Sequence, residues 1–224
     1  MSVQAAPIQV FNIDSSYQRS KRVVDIVFTL LILVPLCIVT AIVALMIRLD
    51  SKGPIFFRQK RVGQNGVEFE MLKFRSMHHN SNDALHREAT KHFMKGGALS
   101  HKEDSGKRYK LTNDSRVTKI GRFMRKTSID ELPQFFNVLR GEMTLVGPRP
   151  ALQYEVDLYG PQDRLRLLGK PGLTGPWQVY GRSRVSFQKM VQMDVDYLRQ
   201  QSLRQDLKLI IMTVPVMLLG HGAA

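Results

Sequence analysis

Residues 23–47, "VVDIVFTLLILVPLCIVTAIVALMI", hold one charged side chain, Asp25, close to their start. No other feature restricts the fold so strongly. As a helix rising about 1.5 Å per residue, a run of this length matches a bilayer hydrocarbon core of roughly 30 Å. A secretory signal would carry a shorter apolar region and then a small-residue cleavage site, whereas "RLDSKGPIFFRQKR" follows here. A membrane segment is therefore expected. Arg19, Lys21 and Arg22 precede it and Arg48, Lys52, Arg58, Lys60 and Arg61 follow it, so both flanks favour the cytoplasmic side. Pro35 removes one helical hydrogen bond and obstructs another, which predicts a bend. A helix bent there, entering and leaving by one face, satisfies both flanks. A kinked spanning helix is the plain alternative, and the residues alone do not choose. A re-entrant break must also repair its freed backbone groups, for which Thr29 and Thr40 are at hand.

The remainder is long enough for one domain in this 224-residue chain. Thirty-three Lys and Arg against nineteen Asp and Glu give a net charge of +14. Such a surplus attracts nucleic acid, an acidic membrane face or phosphorylated small molecules, without selecting among them. The single cysteine, Cys37, excludes an intrachain disulfide.

Residues 1–16 lack a clear period and read as a flexible N-terminal arm. "FFRQKRVGQNGVEFEMLKFRSM" predicts a β-hairpin: Val67, Phe69 and Met71 alternate with Glu68, Glu70 and Leu72 after an Asn-Gly turn. Lys73 and Arg75 end its second strand on one face. Residues 78–113 are polar and read as a mobile loop with a short helix near 83–94. Five of the six histidines fall in or beside that loop, in a spacing that matches no common zinc pattern. "RVTKIGRFMRK" suits a basic amphipathic helix, a polar helix is expected near 152–159, and "VSFQKMVQMDVDYLRQQS" has a helical period. The closing apolar run, in a helix over about 204–220, is too short to span; it suits core packing or an interfacial position.

The chemistry concentrates in "RKTSIDELPQFFN", residues 125–137. One reading of Asp130-Glu131 is structural: Ser128 and Glu131 form a Ser-x-x-Glu capping box, although Pro133 then falls where a donor is needed. A helix starting nearer Asp130 suits Pro133 better. In both registers the carboxylates lie where a helix dipole stabilises negative charge. The other reading is phosphate chemistry. Adjacent helical residues do not share a face, which argues against a glycosidase pair, and no phosphate-binding Gly-rich loop or nucleophile elbow is present. A carboxylate that attacks phosphorus needs cations around the phosphate oxygens, and a second carboxylate can hold Mg²⁺ or handle a proton. Lys73, Arg75, Arg125, Arg149 in "GPRP" and Arg182 in "YGR" supply the cations. Prolines on both sides fix the Arg149 backbone, which suits bidentate phosphate binding. "PGLTG" provides backbone for close approach. Trp177 suits either a stacked base or the core.

The order "SKRVVDIVFTLLILVPL", "GPIFFRQKRVG", "KFRSM", "RKTSIDELPQFFNVLRGEMTLVGPRP", "PGLTGPWQVYGR" and "DLKLIIMTV" resembles the monotopic phosphoglycosyl transferases, the bacterial sugar transferase family. The resemblance runs from about residue 17 to 222, and its central block is long and distinctive. It implies an α+β, mainly helical protein: a re-entrant helix-break-helix over 17–50, broken at Pro35, and a catalytic domain over 51–224 half-sunk in the cytoplasmic face of a bacterial inner membrane. The implied reaction moves a sugar-1-phosphate from a UDP-sugar to a polyprenol phosphate such as undecaprenyl phosphate, releasing UMP, with Mg²⁺, as the first membrane step of a glycan pathway. The resemblance makes Asp130 the nucleophile that carries the phospho-sugar and Glu131 its metal- and proton-handling neighbour, with Mg²⁺ at Asp130 and Glu131. Lys73, Arg125, Arg149 and Arg182 are then expected at the donor, with Arg75 beside Lys73 and Asp194 in a late "Asp-Val-x-Tyr" element of less defined duty. Downstream glycosyltransferases would take the product; a homodimer is compatible with the sequence, which does not specify one.

Departures from the family pattern matter. Val34 replaces the usual Ser before the proline and offers no hydroxyl to the freed carbonyls. The 78–113 loop exceeds that of the smallest members, and Tyr180 stands where Asn or Ser is commoner, which leaves the sugar open. The larger members' extra N-terminal helices are missing, which reads as a minimal catalytic form. The competing reading is a non-enzymatic, membrane-tethered basic module for nucleic acid or acidic lipid. Aromatics are not interleaved with the basic residues as in single-strand binders, so no nucleic-acid partner is expected. A third reading keeps the chemistry but uses water as acceptor.

Overall fold

A computed structural model describes residues 14–78, 84–94, 114–181 and 185–218. Asp14 opens the first helix: its Oδ1 accepts the Ser16 N–H at 2.8 Å. From this cap α1 runs Ser15–Asp50, 36 residues with Pro35 inside, about 54 Å at the usual rise. It starts two residues before the expected boundary. The helical assignment continues through Pro35, so the expected break does not interrupt the helix. Thr29 does not repair the proline's lost bond either; its hydroxyl donates to the Asp25 carbonyl at 2.7 Å.

One stripe of α1 is buried along its whole length: Lys21, Asp25, Thr29, Leu36, Val43 and Ile47. Spacings of four and seven keep these residues on one face. The opposite face exposes Leu31, Val34, Ile38, Leu45 and Leu49, each at least 60% accessible. Cys37 is also exposed.

The hairpin forms as expected. β1 (Phe56–Val62) and β2 (Glu68–Phe74) are antiparallel, from Phe56 opposite Phe74 to Val62 opposite Glu68. Asn65 (φ 56°) and Gly66 (φ 83°) take the left-handed turn conformations, which Asn and Gly adopt most readily. α2 (Ala84–Met94) lies in the polar insert, yet Phe93 and Met94 join a core cluster with Phe187 and Val191. That part of the insert is packed; the other insert residues beyond His78 lie outside the described ones.

α3 (Lys119–Thr127) is capped by the Thr118 hydroxyl, which accepts the Gly121 N–H at 2.9 Å. A Cβ on Gly121 would stand 2.0 Å from the Ser76 carbonyl oxygen, so glycine lets α3 close onto the strand exit. A single 3₁₀ turn, Ile129–Glu131, leads to α4 (Gln134–Arg140), then β3 (Thr144–Val146), α5 (Gln153–Val156) and α6 (Pro161–Arg164). After a 3₁₀ turn, Leu165–Leu168, comes β4 (Gly172–Thr174), then a wide turn, Trp177–Gly181, α7 (Phe187–Gln200) and α8 (Leu203–Leu218). β3 and β4 pair in parallel, a sheet the sequence patterns do not announce. Trp177 is buried in the core with Phe187, which decides against an exposed stacking role.

The flanking cations correct the charge argument. Lys21 is buried and pairs with Asp206 of α8 at 2.6 Å, in a cluster with Tyr17 and Tyr197. Arg22 donates to the Val138 and Leu139 carbonyls at the end of α4, satisfying acceptors a helix terminus leaves open. Arg61 donates to the Pro150 carbonyl at 3.0 Å. Three of the cations counted toward membrane topology thus hold the fold.

Candidate active site

α1 reaches the site through β3. The Asp25 carboxylate accepts the Thr144 hydroxyl at 2.7 Å and the Leu145 N–H at 3.0 Å. This explains a charged residue inside an apolar run: a buried acid is tolerated when donors satisfy it. β3 leads directly into Gly147-Pro148-Arg149-Pro150. Four successive carbonyls there are taken. Pro148 accepts from the Gly172 N–H (2.8 Å), Arg149 from Arg166 (3.4 Å), Pro150 from Arg61 (3.0 Å) and Ala151 from the Val62 N–H (2.9 Å). Arg149 thus stands on clamped backbone.

Asn137, fully buried in α4, fastens the hairpin to the same site. Its Oδ1 accepts the Leu72 N–H at 3.0 Å, and its Nδ2 donates to the Glu70 carbonyl at 2.7 Å and to Glu142 at 2.6 Å. With β2 so held, Lys73 Nζ lies 2.8 Å from Glu131 Oε1. Both are partly buried, which reduces the screening that makes surface pairs weak.

Asp130 is 8% exposed and sits in the 3₁₀ turn ahead of α4. The expected capping box is not formed. Ser128 takes a left-handed conformation (φ 58°), ends α3, and makes no side-chain cap. Pro133 takes the N-cap position of α4 without a side-chain bond, consistent with the later helix start. Arg125 donates from Nε to the Ser76 hydroxyl at 2.9 Å. Burial pushes the Arg125 pKa down and the Asp130 carboxylate opposes that, so the two charges feel each other.

A narrow cleft opens beside this turn, lined by Arg61, Lys73, Glu131, Gln134, Arg149 and Gln178 among others. Lys73, Glu131 and Arg149 are brought together as expected. Asp130 adjoins the cleft through Glu131 but does not line it. Arg75 is a correction: it is buried, its terminal nitrogens donate to the Ser51 and Lys52 carbonyls at 2.7 Å, and it ties β2's exit to the end of α1. Alternation fails there because β2 ends at Phe74. Arg182 lies outside the described residues. Asp194 is not at the cleft surface; it is fully buried and ion-paired with Arg166, which also donates to the Tyr159 hydroxyl at 3.0 Å. Asp194 therefore reaches the site through Arg166 and the Arg149 carbonyl.

Burial pushes the Asp194 carboxyl up from 3.8 to about 6 despite Arg166. Between those values the unfolded chain has lost a proton that the folded chain keeps, so raising the pH favours unfolding. Stability should fall from pH 3.8 to about 6 and stop falling from this source above it. Unfolding midpoints of the parent and Asp194→Asn across pH 4–8 check this; the variant should lack that slope.

Arg61, Arg166 and Asn137 are functional candidates that the sequence reasoning missed. Arg61 was read as flank charge, and Arg166 stands in an ordinary amphipathic stretch. The Asn137 signal was present, an Asn inside the apolar end of the central motif.

Among the described residues no group of three or more His, Cys, Asp or Glu could hold a metal by itself. Mg²⁺ asks less: one or two carboxylates, with substrate phosphates and water completing the shell. Asp130 and Glu131 fit that donor set.

The family model described as bacterial sugar transferase matches residues 16–220. The chain is 43% identical to a galactosyl transferase, CpsE, of Streptococcus agalactiae, over 93% of this chain and 44% of that protein. It is 38% identical to the exopolysaccharide production protein ExoY of Sinorhizobium fredii, over 91% of this chain and 88% of that one. It is also 38% identical to the UDP-glucose:undecaprenyl-phosphate glucose-1-phosphate transferase of Escherichia coli, over 87% of this chain and 39% of that protein. The chain thus spans less than half of two of these relatives and most of the third. A family match over nearly the whole chain, with the Asp-Glu turn and the clamped Pro-Arg-Pro loop at one cleft, makes this chain a member of the bacterial sugar transferase family.

Proposed function

We propose that this protein transfers a sugar-1-phosphate from a UDP-sugar to undecaprenyl phosphate, a polyprenol phosphate, at the cytoplasmic face of a bacterial inner membrane, initiating a glycan. The observation that carries the reading is the cleft itself. Glu131, Lys73 and Arg149 converge there, with Asp130 next to Glu131 in the adjoining turn, on a body fastened along one side of an apolar helix. The names of the relatives support both donor and acceptor.

In this mechanism an Asp130 carboxylate oxygen attacks the β-phosphorus of the UDP-sugar. A P–O bond forms to Asp130, the bridging P–O bond breaks, and its electron pair leaves on UMP. A phosphate oxygen of the polyprenol phosphate then attacks the same phosphorus, and the Asp130–P bond breaks to restore the carboxylate. Lys73 and Arg149 offset charge on the phosphate oxygens, worth most in a partly dehydrated cleft, while Arg61 holds the Pro150 carbonyl behind them. The Lys73–Glu131 pair would open as phosphate replaces Glu131 at the ammonium, which frees Glu131 for proton or metal duty. Mg²⁺ held by Asp130 and Glu131 would neutralise diphosphate charge.

The re-entrant topology is part of the proposal. Leu36 packs with the cluster around Val138 and Leu145, and Val43 and Ile47 pack with Phe74 and Met124. Both halves of α1 rest on one body, and the re-entrant reading takes Pro35 as a bend within a helix that stays continuous. Leu207, Ile211 and Val214 of α8 and Phe123 of α3 are at least half exposed, adding apolar surface suited to a bilayer interface.

The test is UMP release by the full chain in lipid nanodiscs, across a panel of UDP-sugars, with and without undecaprenyl phosphate. Turnover should require the lipid acceptor. UMP release at the same rate without it would mean that water is the acceptor. A salt-sensitive nucleic-acid affinity with no UMP release would favour the non-enzymatic module.

A further inference from the structure

Two neutral side chains in the cleft have polar atoms with nothing to bond. Gln134, the first residue of α4, is 3% exposed, and its Nε2 is buried without a hydrogen-bond partner. Gln178, in the wide turn after β4, donates from Nε2 to the Leu173 carbonyl at 3.2 Å, while its Oε1 is buried and unpartnered. Both line the cleft that Lys73, Glu131 and Arg149 also line. A buried amide group without a partner is destabilising, so two in one cleft call for a ligand. The chemistry is complementary: one orphan is a donor and the other an acceptor.

We infer that Gln134 and Gln178 read the hydroxyl groups of the transferred sugar. This rests on the proposed transfer from a UDP-sugar and deepens it. A hydroxyl both donates and accepts, so it can satisfy an amide N–H₂ and an amide oxygen together. Phosphate oxygens only accept, and Lys73 and Arg149 line the cleft to meet them. The sugar also hangs on the attacked phosphorus, whereas the uridine is one phosphate further away. A wall that includes Glu131, next to the attacking Asp130, is therefore a wall for the sugar. Relatives named for galactose and for glucose show that members differ in the sugar, and those two sugars differ in the direction of one hydroxyl. A site built to bond a hydroxyl discriminates strongly, because the wrong isomer leaves its buried groups unpaired.

The experiment compares the parent with Gln134→Met and Gln178→Met, which keep volume and remove the amide. Each full-length protein in nanodiscs is assayed for UMP release with UDP-glucose, UDP-galactose and their N-acetylated counterparts, and for inhibition by UDP. The expected result is a loss of roughly tenfold or more in kcat/KM for the preferred sugar. The preference between epimers should shrink toward one, with UDP inhibition unchanged. A uniform loss across all sugars with the ranking kept would mean a structural role and overturn the inference. Weaker UDP inhibition in parallel would assign the pair to the nucleotide and equally overturn it. No UMP release by the parent with any sugar would defeat the proposed function, and the inference with it.

Discussion

Asp130→Asn is expected to abolish turnover while leaving the fold intact. Asparagine has the shape of aspartate but cannot offer an anionic oxygen to phosphorus. UMP release should fall by about 10³-fold or more, the scale on which removal of a nucleophile acts in covalent catalysis. Incubated with the donor alone, the parent should gain the mass of one phospho-sugar at Asp130, and the variant should gain none. The setting makes the loss specific. Asp130 is nearly buried in a single 3₁₀ turn, between the left-handed Ser128 and the proline at the N-cap position of α4. Arg125 is held by the Ser76 hydroxyl, not by Asp130 alone, so the phosphate side of the site should stand in the variant. Full turnover by Asp130→Asn would move the nucleophile elsewhere.

Arg166→Met should be the most destabilising of the site substitutions. Arg166 is 4% exposed, and its partner Asp194 is fully buried. Taking away the guanidinium leaves a buried carboxylate without its counter-charge, which typically destabilises by about 3–5 kcal/mol. The second Asp194 oxygen already lacks a partner, so no other group stands ready to replace Arg166. The double variant Arg166→Met/Asp194→Leu removes the orphaned charge and should recover most of that loss, since well-packed apolar replacements of buried pairs are often neutral. Its kcat/KM should still stay below the parent, because the Arg149 carbonyl has lost one of its clamps. Denaturant unfolding of the three proteins checks the first half and steady-state kinetics the second. A loss under about 1 kcal/mol in the single variant would mean that the pair is not ionised in the folded protein.

Much of the architecture is local and therefore readable. An apolar run makes α1, alternation and an Asn-Gly turn make the hairpin, and a helical period marks α7. Each depends on residues within a few turns of one another. The Asp-Glu turn and the proline-flanked Arg149 were legible for the same reason, since their chemistry and rigidity are written in adjacent letters.

The arrangement of the site is not local. Lys73 meets Glu131 across 58 residues, and Asp25 meets Thr144 across 119. Whether a given arginine faces phosphate or backbone depends on such distant partners. Arg75 turned to the end of α1, and Arg166, unremarkable in sequence, became the buried support of Arg149. The parallel pairing of β3 with β4 has no local signature either, because each strand is three residues long. The sequence by itself determined the longer elements and set Asp130, Glu131 and Arg149 in recognisable local settings. Only the tertiary structure decided which cations are left for the substrate, because most buried charges and carbonyls find a partner first.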